Sequence, residues 1–431
     1  MRDDELQVLG EPRKLNKQEK WKIAIIAAVL LSLVVALGMW THSAVAPEQH
    51  EIIQTGKKKG EPTIVPELQT AVDTILLAEM EMLDMLQGQA IVMEVKTGEI
   101  LAMVGLERNF EGKYQPCKNF AYQQELGALM HTVSLLAVLE TGKARLSDVV
   151  HTGSGVWPVE DGFEMKDHNW QRGGYGSITL DRALEVSSNV GISLAVNKTF
   201  GNNNQAFFDL LDKMSFGQPY NIEGIDGLNR TSYSSPKDGD WANWKLWWSA
   251  IGYERKIAPI QMLTFYNAIA NDGKMVKPTL KTGEIEIINP QIASKANIDS
   301  MQMVLEHVVS QGLGRKAGTP ILQVAGKTGT SQVEEYDYYN EVGTPLANYQ
   351  VAFCGYFPAD APKYSIIVSM NKLGLPASGG GMAGVVFHNI VEWMIAHGMP
   401  SVLYLDEETN DTIRVTSNNA DSIISNSLKQ D

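Results

Sequence analysis

A Lys-Thr-Gly-Thr tetrad at Lys327–Thr330 is the part of this 431-residue sequence with the clearest capacity for chemistry. Lys327 would place a cation beside a ligand carboxylate, and Gly329 would let the backbone of a ligand approach closely. We expect the tetrad to follow a short apolar strand at Leu322–Ala325. An ordinary strand and turn would also accommodate these residues, so the tetrad has to be weighed together with a second group.

The second group is a Ser-x-Asn pair, Ser187 and Asn189, within a predicted helix over Asp181–Asn197. In a cleft, Ser187 would relay a proton and Asn189 would donate a hydrogen bond to a substrate amide. A helix N-cap or a solvated turn would equally explain a serine at this place. The pair gains its meaning from its combination with the tetrad.

Together, Ser187, Asn189 and Lys327–Thr330 resemble the second and third motifs of the penicillin-binding protein transpeptidase family, a family of serine acyl-transfer proteins. The resemblance extends over about residues 66–398 and points to the class B members, which act in cell division or elongation. Five further stretches are similar to segments of the same family, the last two to its class B members: Thr97–Met103, Ala268–Pro278, Phe357–Tyr364, Lys166–Trp170 and Gly379–Gly384.

The resemblance implies an α+β fold of the penicillin-binding transpeptidase and serine β-lactamase type, with a central antiparallel sheet flanked by helices. It implies a peptidoglycan stem peptide or a β-lactam as ligand, and neither a cofactor nor a metal ion. An opening hairpin followed by helices and later strands independently favours α+β over a regular βαβ arrangement. The cleft residues carried over from the family are Ser187, Asn189, Lys327, Thr328, Gly329 and Thr330.

The first motif of the family, Ser-x-x-Lys at the start of a helix, is degenerate in this sequence. The family's serine attacks the D-Ala-D-Ala carbonyl, and its lysine one turn later takes the proton. Ala128 stands at the serine position and His131 at the lysine position, with Glu125 and Gly127 fixing the register. Loss of the nucleophile of a serine hydrolase costs on the order of 10⁶ in turnover. The sequence therefore predicts a pseudoenzyme.

Three functional hypotheses follow from this combination. The first is a binding or scaffold subunit of peptidoglycan synthesis or cell division that holds ligands without covalent reaction, beside other cell-wall or division proteins. The second is an active D,D-transpeptidase or carboxypeptidase with an unconventional nucleophile such as Thr132 or His131. The third is a purely structural partner whose motifs are relics of the fold.

An apolar segment near the N-terminus predicts a single membrane anchor. Ile23–Met39 is uncharged and apolar, and with the flanking Trp21 and Trp40 it has about the length of a bilayer-spanning helix. Lysine and arginine crowd its N-terminal side, which places residues 1–20 in the cytoplasm and the following domain outside. A cleaved signal peptide is the alternative, because Ala44–Ala46 has a small-x-small pattern. We therefore expect a single-pass protein of the bacterial inner membrane with an extracytoplasmic domain.

The remaining organisation follows from composition and periodicity. We expect a cytoplasmic tail at 1–20, an anchor at 21–40, a linker at 41–65, a transpeptidase-like domain at 66–400 and a polar tail at 401–431. A net charge of −14 argues against nucleic acid as a partner. The predicted helices and strands are Pro66–Leu86, Gln89–Val95, Ile100–Val104, Leu126–Thr141, Asp181–Asn197, Pro259–Asn271, Ser300–Val309, Leu322–Ala325, Gln350–Phe357, Tyr364–Met370 and Phe387–Ile395.

Overall fold

A six-stranded antiparallel sheet organises the chain, with strand order β12-β13-β14-β1-β2-β3. The computed structural model describes residues 59–399 except 160, 161, 163, 284 and 334–346, together with Val402–Leu405 and Thr412–Val415. The strands of the sheet are β1 Gln87–Glu94, β2 Ile100–Arg108, β3 Tyr114–Pro116, β12 Ala325–Val333, β13 Asn348–Phe357 and β14 Tyr364–Leu373.

Helices cover both faces of this sheet. They are α1 Pro66–Leu83, α2 Met130–Glu140, α3 Leu180–Glu185, α4 Asn189–Phe200, α5 Asn204–Lys213, α6 Trp244–Ala250, α7 Pro259–Ala270, α8 Lys295–Ser310 and α9 Gly384–Ala396. Short two-stranded ribbons complete the described elements: β4 Val149–Gly153 with β7 Gly176–Thr179, β5 Val156–Pro158 with β6 Glu164–Lys166, β8 Ser232–Tyr233 with β9 Arg255–Lys256, β10 Met275–Val276 with β11 Ile287–Asn289, and β15 Val402–Leu405 with β16 Thr412–Val415.

Two hydrophobic cores lie on opposite faces of the sheet. Helices α1 and α9 enclose one core, and α1 contributes Leu68, Val72 and Leu76, which recur every four residues and so form one stripe. Helices α2, α7 and α8 enclose the other core. All residues of α7 are buried, so this helix runs through the centre of the larger layer. The predicted α+β architecture, an antiparallel sheet flanked by helices, is confirmed.

The predicted helix Asp181–Asn197 is in fact two helices, α3 and α4. Ser187 adopts a left-handed backbone conformation with φ of 53°, which no residue inside an α-helix can adopt. Ser188 then caps α4, because its hydroxyl accepts a hydrogen bond from the Gly191 N–H at 2.9 Å. The apolar period continues across the break, so the pattern alone does not reveal it.

The predicted strand Leu322–Ala325 was placed too early in the chain. Strand β12 runs from Ala325 to Val333, and it pairs with β13 along its whole length. The Lys-Thr-Gly-Thr tetrad lies inside this strand rather than after it. Its polar and small residues hide the strand from a search for apolar runs, because their backbone pairing decides the conformation.

The predicted anchor Trp21–Trp40 and most of the predicted linker lie outside the described residues. Among the residues that the structure describes, no helix is both long enough and apolar enough to cross a bilayer. Within the predicted polar tail, β15 pairs with β16 in antiparallel fashion. That part of the predicted polar tail is therefore a two-stranded ribbon.

Candidate functional site

The Lys327 side chain joins strand β12 to the break between α3 and α4. Its ammonium nitrogen donates hydrogen bonds to the Ser187 Oγ at 2.7 Å and to the Thr328 carbonyl at 3.0 Å. The side chain is fully buried, although β12 is the edge strand of the sheet. Two of the sequence-predicted site groups, separated by 140 positions in the chain, are therefore in direct contact.

Burial controls the charge of Lys327. Burial removes the Lys327 ammonium from water, and this lowers the pKa of Lys327 from the ordinary value of 10.5 to about 7. The cationic and neutral forms of this side chain are thus close in free energy at neutral pH. Any ligand that carries a carboxylate would favour the cation.

The turn that carries Ser187 is held by a buried carboxylate, Asp167. Its oxygens accept hydrogen bonds from the Ser188 hydroxyl at 2.9 and 3.0 Å and from the Val190 N–H at 3.0 Å. Burial raises the pKa of Asp167, and these hydrogen bonds oppose that shift. The Asn189 side-chain amide donates to the Lys166 carbonyl at 3.0 Å, which ties the same turn to β6. The sequence pointed to 166–170 only as a family resemblance and missed this positioning role.

The segment that contains Ala128 lies directly against β12. A Cβ on Gly127, where φ is +54°, would lie 2.5 Å from the Thr330 carbonyl oxygen. A Cβ on Gly329 would lie 2.4 Å from the Leu126 carbonyl oxygen. Both positions need glycine for this close approach. Ala128 therefore occupies a short 3₁₀ turn pressed against the tetrad, immediately before α2.

His131, one turn further along α2, is fully buried beside Lys327. Burial lowers the pKa of His131 well below its ordinary value, and the positive charge of Lys327 lowers it further. The neighbouring Asn189 amide opposes this shift, but neither ring nitrogen of His131 has a hydrogen-bond partner of good geometry among the described residues. The imidazole is therefore neutral, and an imidazole that resists protonation is a weak general base.

Thr132, the other unconventional nucleophile considered from the sequence, points into the core. Its side chain is fully buried, and its hydroxyl accepts a hydrogen bond from the Tyr266 hydroxyl of α7 at 2.7 Å. The same Tyr266 hydroxyl lies 2.8 Å from the Leu129 carbonyl oxygen. A hydroxyl engaged in this way has no path to a ligand in the cleft.

The remaining tetrad residues line the outer edge of β12. Thr330 is an exposed residue, and its hydroxyl accepts a hydrogen bond from the Gly379 N–H at 3.0 Å. The Gln332 N–H donates to the Tyr253 hydroxyl at 3.3 Å, away from β13. Because strand residues alternate in direction, Thr328 and Thr330 also direct their backbone groups away from β13. On that side the Thr328 carbonyl accepts the hydrogen bond from Lys327, and the Thr330 carbonyl faces the Gly127 turn. No described strand pairs with β12 on this side.

Residues 88–392 match the family model of the penicillin binding protein transpeptidase domain. The chain is 26% identical over 347 residues to penicillin-binding protein PbpB of Mycolicibacterium smegmatis, covering 72% of this chain and 50% of that protein. It is 28% identical over 327 residues to stage V sporulation protein D of Bacillus subtilis, covering 70% and 48% respectively. This chain thus spans about half the length of these relatives.

Solved structures show the same fold. The transpeptidase domain of Burkholderia pseudomallei penicillin-binding protein 3 superimposes with a TM-score of 0.66 at 24% identity, covering 79% of this chain and 97% of that one. Penicillin-binding protein 3 of Mycobacterium tuberculosis, solved with aztreonam, gives a TM-score of 0.65 at 25% identity and covers 78% of both chains. The penicillin-binding transpeptidase fold that the sequence predicted is therefore confirmed.

Replacement of His131 by leucine should stabilise the protein. A buried polar group without a partner costs about 1–3 kcal/mol, so His131→Leu should raise the free energy of unfolding by about that amount at pH 8. Because the folded-state pKa of His131 is depressed, the wild type should lose further stability as pH falls below the imidazole's ordinary value of 6.5. Urea denaturation at pH 8 and pH 5.5 measures both effects. The exposed His151→Leu is the matched control, and a destabilised His131→Leu would contradict the prediction.

Lys327→Met should also raise the free energy of unfolding. The lowered pKa of about 7 means that the unfolded chain binds the proton more tightly between about pH 7 and 10.5. The wild type should therefore gain stability as pH rises through this range, and the methionine variant should lack that slope. At pH 7 we expect the variant to be more stable by about 2–5 kcal/mol. Denaturation curves from pH 7 to pH 10 test this, and parallel pH profiles of the two proteins would refute it.

Proposed function

The chain belongs to the penicillin-binding protein transpeptidase family, and on that premise we propose that it is a catalytically inactive, ligand-binding member. Its role would lie in bacterial peptidoglycan synthesis or cell division. The proposal rests on a contrast between the ligand-binding part of the cleft and the position of the missing nucleophile. Lys327 and Ser187 keep a direct hydrogen bond at 2.7 Å, whereas Ala128 offers no atom that an acyl group could be transferred to.

Inactivity is supported by the state of three positions on α2 and the turn before it. Ala128 has no hydroxyl, Thr132 is buried and bonded to Tyr266, and the pKa of His131 is depressed. Loss of the attacking group costs about 8 kcal/mol of barrier, which electrostatic stabilisation from the rest of the cleft does not restore. The proposed protein therefore holds its ligand without forming an acyl-enzyme.

Binding is supported by the groups that stay in place around Lys327. The ammonium would pair with the C-terminal carboxylate of a peptide, and the open edge of β12 at Thr328 and Thr330 would pair with its backbone. The ligand class proposed from this chemistry is a peptidoglycan stem peptide that ends in D-Ala-D-Ala. A β-lactam, which resembles that end of the peptide, would bind without covalent attachment.

The cellular setting is part of the proposal. The apolar segment Trp21–Trp40 would anchor the protein in the bacterial inner membrane with the domain on the extracytoplasmic side. In that setting an inactive domain would act as a scaffold for other cell-wall synthesis or division proteins. The binding of those partners would then depend on whether a stem peptide occupies the cleft.

The binding of a D-Ala-D-Ala peptide should weaken as pH rises above 7. The pKa of Lys327 is about 7 in the free protein, so the cation that pairs with the carboxylate is lost above that value. Affinity should fall by up to about tenfold per pH unit between pH 7.5 and 9, until the bound-state pKa is reached. Isothermal titration calorimetry at several pH values measures this. Lys327→Met should bind weakly at every pH, and a flat profile for the wild type would contradict the proposal.

The double variant Ala128→Ser/His131→Lys should acquire reactivity toward penicillin. It restores the attacking hydroxyl and the proton acceptor beside the intact Ser187 and Lys327. Intact-protein mass spectrometry after incubation with benzylpenicillin should show a covalent adduct on the double variant and no adduct on the wild type. Ala128→Ser alone is the matched control and should react far more slowly. An adduct on the wild-type protein would overturn the inactivity proposed above.

A further inference from the structure

A row of polar side chains crosses the central sheet on the same face as Lys327. Directly opposite partners in a sheet share one face, so the strand register defines the row. The row of Lys327 itself is apolar beyond the lysine, with Cys354, Ile367 and Ile91 in the neighbouring strands. Four residues further along β12, the members of the row are Ser331, Gln350, Asn371, Gln87 and Glu107. The face therefore changes from apolar to polar toward one end of the sheet.

A cavity of about 580 Å³ lies over this polar end. Its volume falls in the range of small-molecule binding sites. Parts of β1, β2, β13 and β14 form its floor, and the segment 117–125 forms its wall. Six carboxamide side chains line it: Gln87, Asn119, Gln123, Gln124, Asn348 and Asn371.

The lining favours a neutral ligand with many hydroxyl and amide groups. A carboxamide both donates and accepts hydrogen bonds, which suits a sugar rather than an ion or a lipid. Gln123 and Gln124 already use part of this capacity, since their amides donate to the Asn229 carbonyl and to the Ser369 hydroxyl. The charged lining residues balance, since Arg108 and Lys256 are matched by Glu107 and Glu125. Arg108 is in addition paired with Asp84, and Glu107 accepts a hydrogen bond from a neighbouring glutamine. No net charge therefore draws a phosphate or a nucleotide.

Two details of the wall and floor fit a saccharide. The Tyr122 side chain lines the cavity and is 49% exposed, so its ring is available to pack against the apolar face of a sugar. The Asn348 Oδ1 is buried and accepts no hydrogen bond from any described residue. Because Asn348 lines the cavity, a turn of its side chain would bring this acceptor to a hydroxyl or an acetamido N–H of a ligand.

The position of the cavity relative to Lys327 fits the chemistry of peptidoglycan. Val333, which lines the cavity, is six residues along β12 from Lys327, a distance of ~20 Å. A peptide of about five extended residues spans ~17 Å. A stem peptide held at its carboxylate by Lys327 would thus bring its other end, which is joined to an N-acetylated sugar, to this cavity. A strand added antiparallel to β12 runs in the required direction.

We propose that this cavity binds the N-acetylhexosamine portion of a glycan strand when the attached stem peptide occupies the cleft. The inference rests on the proposed function for the peptide part, whereas the cavity itself is a separate site with its own residues. It assigns Asn371 and Tyr122 as contacts that recognise the sugar. The protein would then recognise a whole muropeptide, both its sugar and its peptide, rather than a free peptide.

The test compares three probes on the purified full chain in detergent by isothermal titration calorimetry. The probes are a pentapeptide ending in D-Ala-D-Ala, the disaccharide N-acetylglucosaminyl-N-acetylmuramic acid, and the muropeptide that joins them. The muropeptide should bind about tenfold or more tighter than the pentapeptide. Asn371→Leu combined with Tyr122→Ser should remove most of this gain and leave pentapeptide binding unchanged. Phe110→Ser, at a fully exposed aromatic outside the cavity lining, is the matched control.

The outcomes separate this inference from the proposed function. Equal affinities for pentapeptide and muropeptide, or a muropeptide gain that survives in the double variant, would overturn the sugar site and leave peptide binding standing. Disaccharide binding that depends on Asn371 and Tyr122, without any pentapeptide binding, would support the sugar site and reject the peptide cleft. If none of the probes binds to a protein whose thermal unfolding is normal, both proposals fail.

Discussion

The burial of the Lys327 ammonium against the Ser187 hydroxyl is the interaction on which the rest of the cleft depends. Moving an ammonium out of water costs several kcal/mol, and hydrogen bonds to Ser187 and Thr328 offset only part of that cost. The contact requires that the break between α3 and α4 lie directly beside Lys327 on β12, the edge strand of the sheet. Asp167 fixes the position of this break, because its carboxylate accepts hydrogen bonds from Ser188 and Val190, which follow Ser187.

The electrostatics of the cleft explain how His131 fits at the position of a lysine. A lysine at position 131 would be repelled by Lys327 whenever both side chains are charged, because the region holds little water. A neutral imidazole removes this repulsion, and burial together with the Lys327 charge keeps it neutral by lowering its pKa. Among the described residues, Lys327 is the cation that donates a hydrogen bond to Ser187. It also removes the proton acceptor that a nucleophile at position 128 would need.

The sequence predicted the parts of this site that are local and missed those that depend on tertiary pairing. The grouping of Ser187, Asn189 and the tetrad was visible from motifs, and the hairpin of β1 and β2 from its turn residues. The break at Ser187 was missed because the apolar spacing continues through it. Burial of Thr132 was missed because its partner Tyr266 lies 134 positions away. The polar row was invisible because each member comes from a different strand, and only the register brings them together.

The free-energy cost of the cleft residues supports the proposal that the cleft binds a ligand. Ser187 adopts a left-handed conformation that costs on the order of 1 kcal/mol or more, and Lys327 is buried with its pKa lowered to about 7. His131 adds two ring nitrogens without partners among the described residues. In the catalytically inactive domain proposed above, each of these features would only lower stability, and ordinary substitutions would relieve them. A cleft that retains a strained hydroxyl and a buried cation beside an alanine is best explained by a ligand that uses them.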